Sequence, residues 1–127
     1  MNILDVIHEL SKRLGPPVRT GEFKGRPCAT WGTCSYSRDG IDCYSTPDGA
    51  TRVATWHSTG AYRVFVIDGA DAPGTTPFRS STYPTFSSVR DIEAYDGVLW
   101  PAIVPLDVAV ELAAKTMGEA TRRGERS

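Results

Sequence analysis

Residues 28–67, CATWGTCSYSRDGIDCYSTPDGATRVATWHSTGAYRVFVI, decide the fold. Apolar residues recur here with a period of two, and three turn signals break the run. Asp39-Gly40 is a two-residue hairpin signal. Pro47-Asp48-Gly49 suits a type I turn followed by a left-handed glycine. Ser58-Thr59-Gly60 is a weaker third signal. Four strands are predicted, at about 28–37, 41–46, 50–57 and 61–67. Loops this short force neighbouring strands antiparallel, so the simplest topology is a meander.

Helices flank the strands. Ile3, Ile7, Leu10 and Leu14 fall on one face of a helix over 3–14, with Val6 beside them. Asn2 caps it, Asp5 sits at the positive end of its dipole, and Gly15-Pro16-Pro17 ends it. A longer helix starts after Pro105, with Leu106, Val110, Ala113, Met117 and Ala120 as its apolar stripe. Glu111–Lys115 and Glu119–Arg123 are spaced for i,i+4 pairs on its outer side. Gly118 and Gly124 weaken its end, and residues 124–127 are expected to fray. Ser88-x-x-Asp91 resembles a capping box, which predicts a short helix; a fifth strand is the competing reading of that stretch. Val98–Val104 is apolar and extended, but Pro101 restricts it to an edge or irregular strand. Residues 68–87 are rich in Gly, Pro, Ser and Thr and are read as a long loop. The expected fold is α+β: a two-layer domain with an antiparallel four- to five-stranded meander sheet and the N- and C-terminal helices packed on one face.

The chain has 127 residues, enough for one domain over 1–127. It is 40% hydrophobic and 23% charged, with 14 basic against 15 acidic residues. That balance excludes a disordered polyanion and a polybasic nucleic-acid tail. No apolar run approaches the ~20 residues of a spanning helix. Asp5 and Glu9 stand where a signal peptide needs positive charge. The expectation is a soluble cytoplasmic protein. Arginine outnumbers lysine 11 to 3 and glutamine is absent, which points to a GC-rich coding background, bacterial or phage. Three cysteines make an odd count, so free thiols are the default.

Cross-strand mapping from the turns separates two faces. One holds Cys34, Tyr36, Ile41, Cys43, Val53, Thr55, His57, Tyr62, Val64 and Val66, and suits packing under helices. The other holds Trp31, Tyr44, Arg52, Ala54, Trp56, Arg63, Phe65 and Ile67. A slip of one residue would exchange the faces of a strand.

The aromatic and arginine composition of the second face is that of interface hot spots and also of base-stacking sheets. A net charge of −1 without a basic stripe argues against nucleic acid. The favoured reading is a non-enzymatic protein-binding module, an adaptor, inhibitor or chaperone-like dimer. It binds a protein partner or itself through Trp31, Tyr44, Arg52, Trp56, Arg63 and Phe65, or through the 68–87 loop. The bland alternative is that the 68–87 segment, with Phe78, Tyr83 and Phe86, covers this face as core.

A rival reading places a small-ligand or enzymatic site at the sheet end around Tyr36, Asp39, His57 and Tyr62, where an Asp–His hydrogen bond beside two phenols suits acid–base work. No metal and no cofactor are expected. Cys28-x5-Cys34-x8-Cys43-x13-His57 contains no close ligand pair, and the map separates Cys43 from His57 by roughly 13 Å at ~3.3 Å per residue. The same gap argues against a Cys–His nucleophile. Phosphate-binding glycine loops, G-x-S-x-G and H-E-x-x-H are absent.

Overall fold

A computed structural model describes residues 1–33, 38–47, 50–59, 61–71, 83–95 and 101–126, with backbone alone for 71 and 119–126. The elements run α1 (Ile3–Leu14), β1 (Arg19–Phe23), β2 (Arg26–Gly32), β3 (Gly40–Ser45), β4 (Ala50–Trp56), β5 (Tyr62–Asp71), α2 (Val89–Ala94), β6 (Ala102–Val104) and α3 (Leu106–Arg126). The architecture is α+β. One six-stranded sheet follows chain order from β1 to β6, antiparallel except for β5–β6, which is parallel. No described helix is long and apolar enough to cross a membrane.

The helix α1 forms as its sequence dictates. Asn2 Oδ1 accepts the amides of Leu4 and Asp5, while Asp5 accepts the Asn2 amide at 2.9 Å, closing a reciprocal capping box. Its termination is equally local: Gly15 takes φ +87 and returns its amide to Ser11. Ile3, Val6 and Leu10 are buried from this helix. From α3 the buried residues are Val108, Ala109, Leu112 and Ala113, with Leu106, Val110 and Met117 at the margin. The stripe is therefore rotated from the one expected, because Ala109 and Ala113 form the contact and let the helix approach closely. Lys115 reaches across to Glu93 of α2 at 2.6 Å. The helical backbone of α3 continues through Arg126.

Both terminal helices pack on one side of the sheet and on each other. Beneath them lie Ala29 and Trp31 from β2, Ile41 and Cys43 from β3, Val53 from β4, Phe65 and Ile67 from β5, and Ala102 and Val104 from β6. This differs from the predicted faces in two strands. Asp39-Gly40 does not make the two-residue hairpin: β2 ends at Gly32, which pairs with Gly40, so the connection is 33–39 and Trp31 opposes Ile41. The Asp39 carboxylate instead accepts the Ser58 amide at 2.7 Å, serving a neighbouring turn. At the next hairpin Trp56 opposes Tyr62 and the His57 amide bonds to Ala61, so Tyr62 shares a face with Trp56 and not with His57 as the mapping sets it. That one-residue slip turns all of β5 over. Phe65 and Ile67 enter the core, and Tyr62, Val64 and Val66 face the other way.

Two elements lay outside the predicted strands. Lys24 and Gly25 both take positive φ, +52 and +77, the signature of a type I′ turn, and join β1 to β2. Beyond β6, Thr85 makes a parallel bridge to Ile103. Of the long 68–87 segment, residues 68–71 complete β5 and Phe86 packs against the helix-side core. Phe78 lies outside the described residues. Ser88 caps α2 through the Asp91 amide, so that stretch is helix rather than strand.

Candidate functional site

The helix-free face of the sheet presents alternate residues of β1 to β5. Antiparallel pairing brings Phe23, Tyr44, Arg52, Trp56 and Tyr62 together there, with Arg19, Cys28, Thr30 and Asp42 beside them. The rings form a connected chain. Phe23 meets Tyr44 edge-on at 5.6 Å between centroids, and Trp56 meets Tyr62 at 4.6 Å. The Tyr44 and Tyr62 hydroxyls lie near enough to influence each other. Burial, then the adjacent Tyr44 phenol, push the Tyr62 hydroxyl above its ordinary range, so it stays protonated. Between Arg19, Phe23, Cys28, Asp42, Tyr44 and Trp56 runs a shallow groove of about 380 Å³.

Arg52 sits opposite Tyr44 on this face, and its Nε is buried without a hydrogen-bond partner among the described residues. A buried guanidinium nitrogen lacking an acceptor is costly. Asp42 does not serve it as an acceptor; its carboxylate takes the Thr30 hydroxyl at 3.0 Å.

Of the six residues expected on one partner-binding face, the structure gathers three. Tyr44, Arg52 and Trp56 share the helix-free face. Trp31 and Phe65 are 2% and 1% exposed beneath the helices, and Arg63 points to the helix side opposite Thr55. Phe23, Arg19 and Asp42 take their places on the helix-free side, where Ala54, Val64 and Val66 are buried. The one local signal for β1 is Lys24-Gly25, a two-residue turn between Phe23 and Arg26.

The four residues of the rival site are divided. Tyr36 lies outside the described residues. Asp39 holds the Ser58 amide, His57 Nδ1 lies 2.9 Å from Thr59 Oγ1, and Tyr62 is on the opposite face. His57 instead borders a second cleft of about 250 Å³ with Thr55, Arg63, Leu112 and Lys115.

No family model, curated protein or solved structure matches the chain. The site is therefore read from its own chemistry. Among the described residues no three His, Cys, Asp or Glu side chains gather as metal ligands. Cys28 and Cys43 are free, and Cys34 lies outside the described residues. Burial raises both thiols, with Asp42 adding to each, and Cys43 is fully enclosed. A protonated thiol is a poor nucleophile. In the native protein an alkylating reagent should therefore modify Cys28 well ahead of Cys43, and the denatured chain should take three adducts without reductant. Intact-mass analysis over time checks both; two missing adducts in the denatured chain would mean a disulfide.

Proposed function

We propose that this protein is a non-enzymatic protein-binding module whose partner docks on the helix-free face of the sheet. The observation that carries the reading is the ring chain Phe23–Tyr44–Tyr62–Trp56 around Arg52, whose Nε has no acceptor among the described residues. Trp, Tyr and Arg in one desolvated patch are the residue types that dominate binding energy. The partner that suits it offers a carboxylate or backbone carbonyl to Arg52 and an apolar side chain to Trp56. The net charge of −1, and a face on which Asp42 accompanies Arg19 and Arg52 rather than a basic stripe, disfavour a phosphate backbone.

The test compares capture of partners from the native host by the wild type, Trp56→Ala and Arg52→Glu. Both variants should lose the same partner, by about 30-fold or more in affinity, which is a hot-spot loss of ~2 kcal/mol. Arg52→Glu should unfold within a few degrees of the wild type. Retention of the partner by both variants would overturn the reading.

A further inference from the structure

The two edges of the sheet are built differently. At β6 the edge is occupied: Ile103 receives the Phe86 amide at 2.9 Å and donates to Pro84 O at 2.8 Å. At the other edge, all five residues of β1 are exposed, and Val18 and Phe23 are exposed apolar side chains at its two ends. Edge strands are ordinarily kept apart by shortness, charged side chains (lysine above all), proline or a bulge. The β1 sequence RTGEF is short, but it has no lysine or proline, its two charges, Arg19 and Glu22, are of opposite sign, and from Arg19 to Phe23 its pairing with β2 runs without a bulge.

We infer that two copies of this chain join antiparallel through β1, with Gly21 of each copy facing its counterpart across a two-fold axis. The register follows from the fold. The Lys24-Gly25 turn makes Phe23 and Arg26 the closing hydrogen-bonded pair, so Phe23, Gly21 and Arg19 spend their backbone groups on β2. Those of Thr20 and Glu22 point outward. A two-fold axis normal to the sheet keeps matching faces on one side, so residues of equal parity must oppose. Centring the pair on the strand sets Thr20 against Glu22 of the second copy, where they exchange both backbone bonds. Gly21 then meets Gly21 in a non-hydrogen-bonded position.

The side chains agree with this register. Arg19 falls opposite Phe23 of the second copy, a cation against an aromatic ring. Phe23 already accepts one cation, with Lys24 Nζ 5.5 Å from its centroid. Gly21 at the axis removes any side-chain obstruction. The joined sheet places both helix-free faces on the same side, with Phe23 and Arg19 of both copies at its centre. A five-residue strand buries less than the ~1,200 Å² of a standard stable interface, so the association is concentration-dependent. This dimer stands whether or not the aromatic face binds a partner.

Sedimentation velocity over a wide concentration range should show a monomer–dimer equilibrium. Thr20→Pro deletes an outward amide and should shift the equilibrium at least tenfold toward monomer, with little change in unfolding midpoint. Gly21→Cys is tolerated locally, since a Cβ there meets nothing within 4 Å. Facing residues in such a pair have Cα atoms ~4.5 Å apart, within disulfide range. Gly21 also faces Cys28 of its own copy, so the cysteine variants are made in a Cys28→Ser background, where under mild oxidation Gly21→Cys should form covalent dimer at least tenfold faster than Thr20→Cys or the background chain. A chain that stays monomeric throughout, a dimer indifferent to Thr20→Pro, or equal cross-linking of the two cysteine variants would each overturn the proposal. Arg52→Glu should leave the dimer intact, which separates this test from that of the docking face.

Discussion

Trp31→Ala is expected to lower stability by about 3–5 kcal/mol, the range for deleting a large buried aromatic side chain. Trp31 is 2% exposed and lies in the cluster formed by Ile3, Val6 and Leu10 of α1 with the sheet. Its indole N–H donates to Gly15 O at 2.9 Å, just past the end of α1. The side chain thus fills the layer between helix and sheet and also holds the helix C-terminus. Truncation leaves a cavity and an unpaired carbonyl together. Total stabilities are typically ~5–15 kcal/mol, so the variant should be close to unfolding at physiological temperature. Trp31→Phe keeps most of the apolar contact and loses the hydrogen bond, and should fall between wild type and Ala. Trp56→Ala should cost less, because Trp56 remains partly exposed. Urea titration followed by circular dichroism measures all three. A loss below about 1 kcal/mol for Trp31→Ala would contradict its place in the core.

The elements built from local rules were legible in the sequence. Asn2, Asp5 and Gly15 mark the ends of α1 because caps satisfy backbone groups within a few residues. The meander was legible because short connections restrict topology. Register was not, since it depends on where a loop closes, and the same turn residues serve several loops. Asp39 shows why: its side chain is taken by Ser58, so Asp39-Gly40 closes no two-residue turn. The cost of that ambiguity was concentrated in the candidate site. Trp31 and Phe65, the largest side chains buried in the core, are among those that alternation alone assigns to the binding face. Tyr44, Arg52 and Trp56 share a face in the mapping and in the structure because the β3–β4 pairing, with Cys43 opposite Val53, keeps those two residues on the other face, where the sequence sets them. Phe23 was missed because Gly21 and Pro27 interrupt the alternation that would have announced β1 and β2.

Gly32→Ala should destabilise the fold by about 2–5 kcal/mol, combining a left-handed backbone cost of ~1–2 with an overpacking cost of ~1–3. Gly32 takes φ +76, where an L side chain is strained. A Cβ there would lie 2.6 Å from Asp39 O and 2.9 Å from Gly40 Cα, both backbone atoms. Neither can swing aside as a flexible side chain would. Asp39 O also accepts the Thr33 amide at 3.1 Å, and the Asp39 carboxylate holds Ser58. Displacing it loosens both the β2–β3 connection and the turn that sets the β5 register, one residue from buried Trp31. Gly69→Ala supplies the control, because Gly69 has φ +78 but a Cβ there meets nothing within 4 Å. It should pay the backbone cost alone, about 1–2 kcal/mol. If unfolding measurements gave the two variants equal losses, the close approach at Gly32 would contribute nothing, and the left-handed conformation alone would account for its glycine.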